Sequence, residues 1–187
     1  MRKMITVKIN GEERQYPQGA TYEDVANDYQ QEYENLIALA ARDGKIRELF
    51  KKLTRDCEVT FFTLKDDVGN KTYVRSATML FLKAVFDVYG REAAQSSRVE
   101  FAIGNGSYIS PKGKINATEE NAAKIRNRMR ELVEAKTPFL KKSYSLDNAM
   151  ELFRREGMKD KEKLFRYRRG SFVNIYEMDG YYDYYYG

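Results

Sequence analysis

The chain has 187 residues, 42% of them hydrophobic and 33% charged, with 33 basic against 28 acidic side chains. It has no histidine and one cysteine, Cys57, which excludes an intrachain disulfide and a structural zinc site of the usual Cys/His kind and removes the commonest general base. No apolar run approaches the roughly 20 residues needed to span a bilayer, and charge interrupts the start too early for a signal peptide, so the expectation is a cytoplasmic protein with no membrane partner.

Met4 to Ile9 alternates apolar and polar residues, as a half-buried strand does. Asn10-Gly11 is a hairpin signal, and a return strand runs to about Tyr16. Pro17-Gln18-Gly19 turns the chain, and Thr21 with Asp24 three residues on is placed to cap a helix whose Val25, Ala26 and Tyr29 face the sheet. Leu36–Ala41, Ile46–Leu49 and Cys57–Thr63 read as three further strands. Lys65 to Thr72 is polar, contains Gly69, and reads as a hinge.

Tyr73 to Gly90 has a helical period, with Ala77, Leu80, Phe81, Ala84, Val85 and Val88 on one broad face. Strands are expected at Arg98–Ile103, Ser107–Ser110 and Lys114–Ala117, with a tight turn at Gly104-Asn105-Gly106. Thr118 caps a helix with an apolar stripe of Ala122, Ile125, Met129, Leu132 and Val133. Ser145 caps another, which carries Leu146, Ala149, Met150 and Phe153 and ends at Gly157. Phe172 to Tyr176 is a strand, and Asp179-Gly180 a hairpin turn.

The basic excess is local: residues 136–170 hold 11 basic and five acidic side chains. Such a surface attracts phosphate-bearing ligands, although an ordinary solvated face has the same composition. Both Gly-Lys pairs, Gly44-Lys45 and Gly113-Lys114, are followed by isoleucine, so this chain has no Walker-type phosphate loop.

Val7-Lys8-Ile9-Asn10-Gly11, followed by Tyr16 to Ala26, resembles the TGS domain, a ubiquitin-like β-grasp module without catalysis of its own. Arg75-Ser76-Ala77-Thr78-Met79-Leu80-Phe81 resembles the His-Ser-x-x-His-Leu-Leu frame in the second additional (editing) domain of threonyl-tRNA synthetase. Ile103 to Tyr108 resembles that domain's strand-turn-strand. Asp183-Tyr184-Tyr185-Tyr186-Gly187 resembles its Asp-x-Cys-x-Gly segment, with Tyr185 at the cysteine position. The likeness implies an α+β chain with a TGS-like domain at 1–64 and an editing-like domain at 65–187, and a cleft that has lost its hydrolytic side chains.

Arg75 in the first histidine position could bind a phosphate or carboxylate. Arg166, Arg168 and Arg169 could lie near it, with Met79 in the cleft and Tyr167 or Tyr185 offering a stacking face. The plainer alternative pairs Arg75 with Asp66 or Asp67. The terminal tyrosines either stack on bases or, the preferred reading, line a sheet.

Taken together with Phe165-Arg166-Tyr167-Arg168-Arg169 and Val173-Asn174-Ile175-Tyr176, the whole resembles the amino-terminal region of bacterial uridine or nucleoside kinases. That likeness implies a following P-loop kinase domain that would use ATP and magnesium, with no catalytic residue, metal or cofactor in this part. It also implies nucleotide, nucleoside or RNA ligands. The alternative is a tRNA- or RNA-binding module derived from threonyl-tRNA synthetase and inactive in editing.

Overall fold

The computed structural model describes residues 3–104 and 106–185, and the fold is α+β. The chain forms two compact units, one up to Ser76 and one from Ala77 onward.

In the first unit β1 (Met4–Ile9) pairs antiparallel with β2 (Glu12–Pro17) through Asn10 and Gly11, both at positive φ as a type I′ turn demands. Helix α1 (Tyr22–Tyr29) starts at a reciprocal cap: Asp24 N donates to Thr21 Oγ1 at 3.1 Å, and Thr21 N donates to Asp24 Oδ2 at 2.7 Å. Strands β3 (Ile37–Arg42), β4 (Lys45–Arg47) and β5 (Cys57–Thr63) complete a five-stranded sheet of order β2-β1-β5-β3-β4, in which β1 and β5 run parallel. Ile5, Val7, Ile9, Val25, Tyr29, Val59 and Phe61 form its dry interior.

The expected hinge is helical. Asp66 accepts from Thr63 N and Thr63 Oγ1 at 2.7 and 2.9 Å, and α2 (Asp67–Tyr89) begins immediately after it. Gly69 is required there, because a Cβ would stand 2.0 Å from the Thr63 carbonyl oxygen. At 23 residues α2 is about 35 Å long.

The second unit holds the rest of α2, then α3 (Arg91–Ser96), the hairpin β6 (Arg98–Ile103) and β7 (Gly106–Ser110), and α4 (Glu119–Glu134). After these come β8 (Leu140–Ser145), α5 (Leu146–Arg155), α6 (Lys159–Arg166), β9 (Phe172–Met178) and β10 (Tyr181–Asp183). Strands β10-β9-β8 make a three-stranded antiparallel sheet, and Ile175 on β9 shares one core with Met79, Val85, Leu132, Phe153 and Phe165.

Several expectations are corrected. The buried face of α2 is rotated and broader than expected, with Met79, Leu82 and Lys83 inside alongside Ala84 and Val85. Val133 faces solvent, and Ile125 and Leu132 carry the burial of α4. Lys114–Ala117 is not a strand: Lys114 N donates to Pro111 O and Thr118 N to Asn116 O, so consecutive turns use the backbone groups a ladder would need. Val99, Phe101 and Ile103 lie on the expected strand but all stay exposed, and a register shift between Val99 and Phe101 interrupts the alternation. Asn105, Tyr186 and Gly187, named in the sequence motifs, lie outside the described residues.

Candidate functional site

Helix α6 has the sequence Lys-Asp-Lys-Glu-Lys-Leu-Phe-Arg and buries Glu162 and Phe165. Phe165 packs against Phe153 at 5.5 Å and edge-on to Tyr184 at 5.0 Å. Anchoring the helix through those two residues turns Lys159, Lys163, Leu164 and Arg166 outward. The chain then leaves the helix through Tyr167, Arg168, Arg169 and Gly170, all exposed, before β9 begins at Phe172. Tyr167 is 87% exposed and Phe172 66%. A soluble surface seldom presents two aromatic rings so fully beside a run of cations.

Hydrogen bonds fix this surface from below. Glu162 Oε1 accepts from Arg154 Nη2 and from Arg166 Nη2, each at 3.0 Å, and these two guanidiniums hold its carboxyl below the usual range. Lys161 points inward to Asp183, and burial pulls its ammonium down to about 8. Arg168 donates to the Tyr184 hydroxyl and stands 5.4 Å over that ring. Lys159, Lys163 and Arg169 extend the positive surface on either side of Tyr167.

The expected site residues separate into three places. Arg166, Arg168 and Arg169 share the surface just described. Met79, 1% exposed, belongs to the core of the second unit, and Tyr185 packs on the same core, 6.0 Å from Tyr176. Burial pushes the Tyr185 hydroxyl pKa up, and among the described residues that oxygen has no hydrogen-bond partner. Met79 is closed off in the core and the Tyr185 hydroxyl is buried, whereas the Tyr167 ring stands open. Arg75 is exposed on α2, one turn before Met79, and makes no hydrogen bond or ion pair among the described residues. Its expected partners are engaged elsewhere, Asp66 with Thr63 and Asp67 with Lys71 at 2.6 Å.

A separate cleft of about 550 Å³ lies within the second unit, walled by Phe81, Ile109, Pro111, Ile115, Ile125 and Met129. None of the expected site residues lines it. Among the described residues no group of three His, Cys, Asp or Glu side chains is placed to hold a metal ion, and no helix is long and apolar enough to cross a membrane.

No family model matches the chain. It is 27% identical over 91% of its length to a threonine–tRNA ligase of Thermotoga petrophila, of which it covers 28%. It is 25% identical over 92% of its length to that of Carboxydothermus hydrogenoformans, again covering 28%, and 31% identical over 74% of its length to that of Syntrophotalea carbinolica, covering 23%. Nothing in these relatives supports the expected nucleoside kinase parent or its ATP-using domain. The chain is thus similar to threonine–tRNA ligases along nine tenths of itself, and spans little more than a quarter of their length.

Proposed function

We propose that this chain is a non-catalytic tRNA- or RNA-binding module related to the threonyl-tRNA synthetase, with the α6–Tyr167–Phe172 surface as its contact face. The observation that carries the reading is Tyr167, which stands 87% exposed among Arg166, Arg168 and Arg169 in a chain similar to tRNA ligases over 91% of its length. Arginine forks and ammonium groups neutralise phosphates and set the position of the strand, and an open ring stacks on any unpaired base. In this reading the chain carries no editing hydrolysis. The two histidine positions of the editing frame are Arg75 and Met79, and the chain has no histidine elsewhere to move a proton or bind zinc. Arg75, exposed and without an ion pair among the described residues, is a separate candidate anion contact on the first unit.

Filter binding of tRNA to the 187-residue chain over a salt series tests it. Affinity should fall linearly on a log–log plot as salt rises, with a slope of about −0.7 to −0.9 per phosphate contact. A chain that retains no tRNA at 50 mM salt sinks the reading, and release of an amino acid from charged tRNA sinks its non-catalytic part.

A further inference from the structure

The first unit carries a second, smaller pocket of about 350 Å³, lined by Tyr22, Arg42, Arg47, Glu48, Lys51, Lys52 and Thr54. Its walls are held by backbone bonds. Tyr22 N donates to Lys51 O at 3.0 Å, Glu23 N to Leu49 O at 2.8 Å and Leu53 N to Ala20 O at 2.7 Å, with a bridge between Thr21 and Lys52. The segment that supplies two lysines is therefore stitched to the start of α1. The two arginines come from β3 and β4. Arg47 stands opposite Ala40 and Arg42 lies two residues beyond Ala40, so the guanidiniums share one face of the ladder.

Four cations and one carboxylate thus surround a small concavity. Arg42 Nη1 donates to the Thr54 hydroxyl at 3.2 Å and Arg47 Nη1 to the Ile46 carbonyl at 3.0 Å, both neutral acceptors. Glu12, Asp43 and Asp67 pair with Arg14, Arg55 and Lys71, none of which lines the pocket. Tyr22 is 1% exposed, and among the described residues its hydroxyl proton has no acceptor. Arg42 stands beside that hydroxyl and can only donate to it, so the hydroxyl proton itself still lacks an acceptor. A buried donor without an acceptor is costly and rare, and an anion seated among these cations would supply one.

We infer that Tyr22, Arg42, Arg47, Lys51 and Lys52 form a phosphate-binding site on the first unit, with the Tyr22 hydroxyl and the two guanidiniums donating to phosphate oxygens and the lysines balancing charge. A terminal phosphate, carrying close to two negative charges, suits a fourfold cationic lining better than a singly charged diester does. The inference is independent of the RNA surface at Tyr167.

The test uses the full chain and two probes, inorganic pyrophosphate and a dinucleoside monophosphate, followed by amide shifts in two-dimensional NMR against sodium chloride at equal ionic strength. Pyrophosphate should move the amides of Tyr22, Arg42, Arg47 and residues 51–54, saturably and beyond the salt control. Movement by the dinucleoside without movement by pyrophosphate contradicts the charge preference of the lining and overturns the inference. Shifts confined to residues 159–172, or no shift beyond the salt control, overturn the inference. Arg42→Ala should weaken pyrophosphate binding at least tenfold and Tyr22→Phe, which keeps the ring, about threefold or more. Unchanged affinity in both variants also overturns it. If a variant fails to fold, the wild-type shift map decides alone.

Discussion

The core of the first unit is built from uncharged side chains, whereas the second unit buries Lys83, Glu156, Glu162 and Asp183. In the first, charge works at the surface: Asp24 and Asp66 each cap or close a turn with a residue three positions away, and the exposed Asp56 accepts from Thr6 N across 50 residues. In the second, charge joins distant elements. Lys83 Nζ on α2 reaches Asp87 at 2.7 Å and the Asp179 carbonyl at 2.8 Å, 96 residues on. Arg91 reaches Glu156 across 65 residues, and Lys161 reaches Asp183 at the end of β10. A sheet packed through an apolar face finds its partners by burial alone. A unit assembled from short helices and a three-stranded sheet uses buried ion pairs that accept few alternative partners, at the risk of instability if one member is lost.

The largest effect expected from this contrast is at Asp183. Asp183→Ala leaves the inward-pointing Lys161 ammonium without its carboxylate, a loss on the order of 3–5 kcal/mol for a broken buried pair. Hydrogen exchange should show residues 77–185 losing protection while the β1–β5 sheet keeps it. Equal loss in both units would break the contrast.

Next is the contact surface. Tyr167→Ala should leave the melting temperature unchanged, because the ring is exposed. It should cost tRNA affinity about 1–3 kcal/mol if one base stacks there, roughly 5- to 150-fold. Unfolding rather than lost affinity would show that the ring is structural.

At the first unit, Thr21→Ala removes a helix cap worth about 1 kcal/mol and should destabilise residues up to 76 alone, read by the same exchange experiment.

The pH responses should also differ. The Thr21 backbone and hydroxyl hydrogen bonds hold the Asp24 carboxyl below its ordinary 3.8, and those of Thr63 do the same for Asp66. Their folded pKa values lie below the unfolded ones, so this stability is complete above about pH 4 and is lost as pH falls through the folded values. In the second unit burial lowers Lys161 from 10.5 to about 8. The unfolded chain then binds the extra proton between those values, so this group's contribution to stability rises with pH from about 8 to 10.5. Burial raises the Tyr181 and Tyr185 hydroxyls, so their contribution is complete below their ordinary 10.0 and falls above it. Denaturant midpoints measured per unit from pH 2 to 11 check all three signs.

The first unit was the more legible because its signals are local. Alternation places Ile5, Val7 and Ile9, the Asn10-Gly11 pair forces the hairpin, Thr21 with Asp24 starts α1, and β5 spans Cys57–Thr63 as its pattern requires. In the second unit the caps Thr118 and Ser145 and the Asp179-Gly180 turn were equally readable. What escaped has a common cause. Strand β8 reads Leu-Lys-Lys-Ser-Tyr-Ser and α6 is mostly charged. Each is an edge or surface element whose few inward groups carry no clear period. Lys83 and Glu162 were also invisible as core residues, because nothing in sequence announces that a charged side chain has a buried partner elsewhere. Of the candidate site residues, the arginines beside Tyr167 stand out in the sequence through the basic excess at 136–170 and the likeness of the Arg75 frame. Whether Tyr167 or Tyr185 faces outward depends on how Phe165 and Tyr184 pack, which spacing does not encode.

The most direct measurement is the tRNA affinity of the wild-type chain beside Tyr167→Ala, at two salt concentrations and with the fold of each checked by circular dichroism. The expected result is salt-sensitive binding by the wild type and a loss of roughly fivefold or more in the variant, at unchanged fold. Equal affinity of the two proteins, or binding indifferent to salt, would contradict the assignment of this surface.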